Sequence, residues 1–216
     1  MLQIYGRTSS YNVQKVLWLA DELSLDYQHI PAGGEHGGLD RPEFLAMNPG
    51  GRIPVIVDGT TIIWETHAIL RYLASQYGND SFKRETPAAQ SLIDRWVDWS
   101  LSELEPAFFG GIFWGYYRTP AAQRGQAAIS RALKRCDQLY QRLDDQLRQQ
   151  PWLSGEALGL ADIPAGTTLY RYFEIEGISR PELPNVRRWY QQLQTRPAYQ
   201  QRVMRPFDEL KGRLAY

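Results

Sequence analysis

Gly6-Arg7-Thr8-Ser9-Ser10-Tyr11-Asn12-Val13-Gln14-Lys15-Val16 stands between a short apolar run and the first amphipathic stretch, and its surroundings decide the fold. Upstream, Leu2 to Tyr5 reads as a short buried strand. Downstream, Val13, Val16, Leu17, Ala20 and Leu23 recur at helical spacing, which predicts a helix with one apolar face. Tyr27 to Ile30 reads as a second strand, and Pro42 to Met47 as a short helix with Pro42 in its first turn. Ile53 to Val57 and Thr60 to Trp64 flank Asp58-Gly59, a pair that supplies the positive φ angles of a tight hairpin. A helix from about Thr66 to Tyr77 follows, with Ile69, Tyr72 and Leu73 on one face. This β-α-β, short helix, β-β-α order predicts a small mixed sheet with helices on its faces.

Beyond about residue 78 the reading changes. Gly78 to Pro87 is polar and turn-rich, a linker by composition. Everything after it carries helical periods: Ala88 to about Phe109, Ala121 to Gln149, about Leu160 to Glu174, and Val186 to Arg196. Two domains of different class are expected, an α/β unit over residues 1–78 and an all-helical unit over residues 88–216. Neither an internal repeat nor a low-complexity tract appears.

Composition limits the function. In the 216 residues, 43% are hydrophobic and 22% charged, ordinary values for a globular chain. Lys plus Arg equals Asp plus Glu at 24 each, so the basic excess that nucleic acid or an anionic membrane demands is missing. A single cysteine, Cys136, rules out an internal disulfide and fits a reducing, cytoplasmic setting. Met1 to Tyr5 lacks the pattern of a secretory signal, and no apolar run is long enough to span a bilayer.

Three stretches could carry chemistry. In Gly6 to Val16, hydroxyl and amide side chains sit where a helix begins. They can simply cap that helix. They can equally hold an anion against its N-terminus, and a thiolate held there would have a lowered pKa. In Asn48-Pro49-Gly50-Gly51-Arg52-Ile53-Pro54-Val55-Ile56, Pro54 opens a strand, where a residue without an N–H is tolerated. A cis Ile53-Pro54 bond would free the backbone of Ile53 to pair with an extended peptide, but cis is the minority state. In Trp64-Glu65-Thr66-His67-Ala68-Ile69 a strand gives way to a helix. Glu65 and Thr66 can serve there as routine helix-start residues, or grip the ammonium and carboxylate of an amino-acid head.

Taken together in this order and spacing, the three stretches resemble the glutathione-binding half of cytosolic glutathione transferases of the bacterial, theta-like kind. The likeness extends over nearly the whole chain. It implies a thioredoxin-like βαβαββα domain followed by a helical domain, with glutathione as co-substrate and no metal. Aligning Gln14-Lys15-Val16 with the first helix of those classes puts Ser10 at the hydroxyl that hydrogen-bonds the glutathione sulfur, with Ser9 as runner-up. Asn12 falls at a second sulfur-facing position. Arg52 matches a basic residue that contacts glutathione, Ile53 the residue before the family's cis-proline, and Glu65-Thr66 the pair that holds the γ-glutamyl group. The family's capping motif in a buried helix reads Gly159-Leu160-Ala161-Asp162, with Asp162 kept and the capping hydroxyl absent. Glycine is an acceptable cap, so the expected loss is a few tenths of a kcal/mol.

By the same resemblance, the end of the first long helix lines an electrophile pocket, and Phe108, Phe113 and Tyr117 are expected on its wall. Arg171 could place an anion-binding group there or form an interdomain ion pair. Tyr5 reads as core, Tyr11 as wall or surface, and Cys136 as core. His29, His36 and His67 lack metal-ligand spacing. The implied reaction is attack of the glutathione thiolate on a small apolar electrophile by a homodimer built on the helix after Glu65 and the helix of Trp96 and Trp99. Disulfide or peroxide reduction by glutathione is the rival reaction; a noncatalytic ligand-binding module on the same fold is the rival from another class. A thiol-dependent glutaredoxin-like or omega-like reading is weakened, because the Ser9–Asn12 loop has no cysteine.

Overall fold

The computed structural model describes residues 1–214. Four strands, β1 (Leu2–Tyr5), β2 (Tyr27–Ile30), β3 (Val55–Asp58) and β4 (Thr61–Trp64), form one sheet in the order β2-β1-β3-β4. β1 pairs parallel with β2 and antiparallel with β3, and β3 pairs antiparallel with β4 through the tight turn at Gly59, whose φ is 59°. Helices α1 (Tyr11–Glu22) and α3 (Thr66–Tyr77) pack on the sheet and on each other, while the short α2 (Pro42–Met47) bridges β2 and β3. This is the small mixed sheet with helices on its faces that the order of apolar runs predicts, in the thioredoxin-like form that the family resemblance implies.

The helical domain begins with α4 (Pro87–Trp99), whose Thr86 hydroxyl accepts a cap bond from the Ala89 N–H at 3.2 Å. The chain does not stop near Phe109. It continues through Ser100–Leu104 and Pro106–Arg118 in wider π turns, closing with the Thr119 N–H on the Trp114 carbonyl at 3.2 Å. π turns are rare and concentrate at functional sites. Gly111 allows this segment to press against α5 (Gln126–Leu147): a Cβ there would lie 2.4 Å from the Ala132 Cβ. Two further helices, α6 (Asp162–Glu174) and α7 (Pro184–Gln194), lead to α8 (Pro197–Arg202), which the sequence reading does not anticipate.

α1 is the element both domains share. Its Val13, Val16, Leu17, Trp18, Leu19 and Ala20 are all at most 1% exposed, because one face covers the sheet and the other packs on α6 and α8. Trp18 meets Tyr199 edge-on at 4.9 Å. Charged pairs hold the outer end, with Arg196 on Glu22 at 2.5 Å and Arg202 on Asp21 at 2.6 Å.

Candidate functional site

The loop between β1 and α1 brings Ser9, Ser10 and Asn12 to the cleft between the domains. Ser10 is the residue before α1, in extended geometry at φ −74° and ψ 122°, yet its hydroxyl makes no capping bond. Neighbouring groups fix the loop instead: the Ser10 N–H donates to the Arg7 carbonyl at 3.1 Å, and the Gln14 amide donates to the Thr8 carbonyl at 3.1 Å. The start of the helix is held by these bonds, while Ser10 itself contributes to the wall of the cleft. Ser10 is half-buried and Ser9 exposed.

Two cavities meet at this point. The larger, about 380 Å³, has Ser10, Asn12, Phe109, Phe113, Trp114 and Arg171 on its wall. The smaller, about 290 Å³, is lined by Asn12, Lys15, Glu65, Thr66, His67 and Glu105. Asn12 and Glu105 contribute to both. Of the three rings expected on the wall, Phe113 is there. Phe108 is fully buried, packed edge-on against Phe109 and Tyr172 at 5.0 and 6.0 Å. Tyr117 stacks behind Phe113 at 5.7 Å and lines other clefts. The π turns place Phe109, Phe113 and Trp114, four and five residues apart, on the cavity side, which leaves Phe108 in the core.

The floor of the smaller cavity is the turn from β4 into α3. Glu65 sits there with φ +70°, a left-handed conformation that costs a non-glycine residue on the order of 1 kcal/mol. Its side chain is exposed, and Thr66 begins the helix, 8% exposed. Arg52 is exposed on the loop before β3, and the bond between Ile53 and Pro54 is cis. Ladder pairing of β3 begins only at Val55.

Beneath both cavities lies a buried charged cluster that the sequence reading misses. Lys15, 0% exposed, donates to Glu105 Oε1 at 2.7 Å, and His67 Nε2 meets the same oxygen at 3.1 Å. Burial holds Lys15 below its ordinary pKa, partly offset by Glu105. Burial also lowers the pKa of His67, opposed by its contact with Glu105 and reinforced by the Lys15 charge, whose Nζ lies 3.3 Å from the same Nε2. Burial alone would raise Glu105, but the Lys15 charge and the His67 hydrogen bond outweigh it and the carboxyl lies below its ordinary value. These residues are 52 and 90 positions from Lys15, and nothing local in the sequence links them.

The two phenols near the start of α1 are both engaged. Tyr5 donates to Gln3 Oε1 at 3.0 Å and packs against Phe44. Tyr11 is a wall residue: its hydroxyl donates to the Pro164 carbonyl at 3.1 Å, its ring lies 3.9 Å from Phe109, and burial raises its pKa well above the ordinary value. Cys136 is buried on α5, where desolvation pushes its thiol up to about 12. Among the described residues there is no cluster suited to a metal and no helix long and apolar enough to cross a membrane.

A thioredoxin-like domain, a helical domain and a polar cleft at the start of α1 define a class, and comparison with known proteins gives it a name. Residues 4–81 match the family described as Glutathione S-transferase, N-terminal domain, and residues 106–197 match Glutathione S-transferase, C-terminal domain. The chain belongs to the glutathione S-transferase family. It is 42% identical over 208 residues to Glutathione S-transferase GstB of Escherichia coli K12, covering 95% of this chain and 99% of that protein. A theta class glutathione S-transferase from Xanthomonas axonopodis pv. citri, solved with glutathione bound, superposes with a TM-score of 0.87 at 44% identity, covering 95% and 98% of the two chains. A more distant similarity, 29% over 201 residues, covering 90% of this chain and 91% of the relative, is to Disulfide-bond oxidoreductase YfcG of Escherichia coli K12.

Proposed function

We propose that this protein binds glutathione in the smaller cavity and along the loop before β3, and transfers its thiolate to small electrophiles held in the larger one. The observation that carries the reading is the uncommitted Ser10 hydroxyl at the start of α1, where the two cavities join. Donors at a helix N-terminus favour an anion, so Ser10, Asn12 and the first turn of α1 would hold the sulfur as thiolate at neutral pH. The thiol proton leaves to solvent; the thiolate forms a bond to the electrophilic carbon and the leaving group departs with the electron pair. Catalysis consists of lowering the thiol pKa and positioning the two reactants.

Glutathione fits the remaining residues. Thr66 and the N-terminus of α3 suit the γ-glutamyl carboxylate, and Glu65 suits its ammonium. The unladdered backbone of Ile53 suits pairing with the cysteinyl unit, and Arg52 a peripheral charged contact. The larger cavity, at the small end of the range for ligand pockets, suits a one-ring or short-chain electrophile. The division at residues 79–87 would separate the glutathione-binding unit from the unit carrying the electrophile pocket. Exposed Ile62, Trp64, Leu92 and Leu101, and the ion pair of Arg71 with Asp94 that joins α3 to α4, support a homodimer through α3 and α4, to be checked by sedimentation. We place this dimer in the cytoplasm, in keeping with its single buried thiol.

Glutathione-dependent disulfide reduction is a second reading, supported by Asn12 beside Ser10 and by the similarity to a disulfide-bond oxidoreductase. With Cys136 buried and not on the wall of either cavity, that chemistry would pass through glutathione alone: two glutathione thiols become oxidised glutathione as one substrate disulfide becomes two thiols. Calorimetric titration with reduced and oxidised glutathione separates the readings. Binding of the reduced form, weakened in Thr66→Ala, together with turnover of an aryl halide supports transfer. Preferential binding of the oxidised form supports reduction, and no binding of either form at millimolar concentration would leave a noncatalytic module.

A further inference from the structure

The buried cluster of Lys15, His67 and Glu105 takes no part in the transfer chemistry, yet it stands where the two cavities meet. Its members come from three elements. Lys15 lies in the first turns of α1 after Ser10, and His67 follows Thr66 at the start of α3. Glu105 stands between the two runs of π turns, just before Pro106. Both polar contacts land on one oxygen, Glu105 Oε1, with Lys15 Nζ at 2.7 Å and His67 Nε2 at 3.1 Å. Glu105 nevertheless belongs to the walls of both cavities. On the smaller one, Arg71 is bonded to Asp94 and Asp98 and Glu65 is exposed, so Lys15 and His67 are the groups that hold Glu105. α1 and α3 pack on each other within the thioredoxin-like domain, which keeps them in place without Glu105. The segment carrying Phe109 and Phe113 is anchored differently. Pro106 supplies no N–H to the preceding turn, and the close packing of Gly111 on Ala132 of α5 lies farther along.

Resting on the transferase reading, we infer that Glu105 is a positioning residue: with Lys15 and His67 it pins the electrophile wall in register with the glutathione-binding half. The contacts continue past the pin, since Lys15 Nζ lies 4.3 Å over the Tyr11 ring and that ring lies 3.9 Å from Phe109. The reacting atoms are untouched by it. The glutathione sulfur bonds to the electrophilic carbon, the leaving group departs with the electron pair, and the thiol proton goes to solvent. What the pin sets is the placement of one reactant against the other, where a displacement of about 1 Å can cost about 100-fold in rate. A buried ion pair suits this task better than it suits stability, because apolar residues of similar size often replace such a pair at no loss of stability. Position and stability are therefore separable in this cluster.

The test compares the natural protein with Glu105→Asp and with the double variant Lys15→Met, Glu105→Met. Turnover of 1-chloro-2,4-dinitrobenzene, glutathione affinity, the pKa of the bound thiol and urea unfolding are measured in each. The double variant removes both charges together and should unfold near the natural urea midpoint. Its glutathione affinity and thiol pKa should stay as they are, while kcat/KM for the aryl chloride falls about 10- to 100-fold, through kcat as well as KM. Glu105→Asp keeps a carboxylate for Lys15 but draws it back by one methylene, and should lose about tenfold on the same substrate. Amide hydrogen exchange reads the pin without turnover: residues 106–118 should exchange faster in the double variant, and α1 and α3 should not. Natural electrophile kinetics in the double variant, or in Glu105→Asp if the double variant does not fold, would reduce the cluster to a support of the fold and overturn the proposal. A loss that follows weakened glutathione binding or a raised thiol pKa would assign the cluster to the glutathione site and overturn it too. Either result leaves the transferase reading intact, whereas no turnover by the natural protein would overturn both.

Discussion

Two helix N-termini in this molecule use similar chemistry to opposite ends. At the start of α6 every capping group is spent on the fold. Asp162, fully buried, accepts the N–H groups of Leu153 at 2.8 Å, Ser154 at 3.2 Å and Gly159 at 3.0 Å, and the indole N–H of Trp189 at 3.1 Å. At the start of α1 the Ser10 hydroxyl makes no capping bond, and Ser10 lines the cleft. A helix start that satisfies all its donors internally stabilises the core; one that holds a donor in reserve can bind an anion. α6 is thus a structural start, and α1 the one we propose to be functional.

The missing hydroxyl in Gly159-Leu160-Ala161-Asp162 sharpens the contrast. Ser154, from the preceding loop, supplies it: its Oγ accepts the Ala161 N–H at 3.1 Å. Glycine at position 159 is required rather than tolerated, because a Cβ there would lie 2.1 Å from the Ser81 carbonyl oxygen and 2.7 Å from Ser154 Oγ. The loss of a few tenths of a kcal/mol expected from sequence is thereby replaced by a steric reason for the glycine.

Four substitutions can break or sharpen this comparison. Asp162→Ala strands four buried donors and should cost about 3–5 kcal/mol in urea unfolding; a loss under about 1 kcal/mol would deny α6 its structural role. Gly159→Ser, which restores the hydroxyl on paper, should destabilise by about 1–3 kcal/mol through overpacking, whereas a gain in stability would show that Ser154 and Ser81 give way easily. Ser154→Ala removes one acceptor and should cost about 1 kcal/mol, and a neutral result would leave Ala161 capped by other means. At the functional end, Ser10→Ala should change stability by less than about 0.5 kcal/mol. A loss near the ~1 kcal/mol typical of a working cap would return Ser10 to the fold.

Much of this was legible in the sequence. The alternating runs and the Asp58-Gly59 turn gave the sheet, and the expected helix Thr66–Tyr77 is α3 as observed. Local patterns stopped short wherever distant packing decided the outcome. A helix end is expected near Phe109, yet the chain runs on to Arg118 in π turns, with Gly111 packed closely against Ala132 of α5. That winding also decided which rings reach the cavity. The sequence reading ends its last helix at Arg196, but Pro197 begins α8, where a proline in the first turn lacks only an N–H that would be unpaired anyway. The cluster of Lys15, His67 and Glu105 joins three separate elements, and only the folded chain brings it together.

The central claim, that the start of α1 is kept open to hold a thiolate, is tested most directly by titrating the thiol of bound glutathione through its ultraviolet thiolate absorbance, in the natural protein and in Ser10→Ala. The account predicts a depressed thiol pKa in the natural protein that rises by about one unit or more in the variant, equivalent to about 1.4 kcal/mol of lost thiolate stabilisation. An unchanged pKa in Ser10→Ala, with Ser9→Ala moving it instead, would contradict the account and give the sulfur to the neighbouring serine.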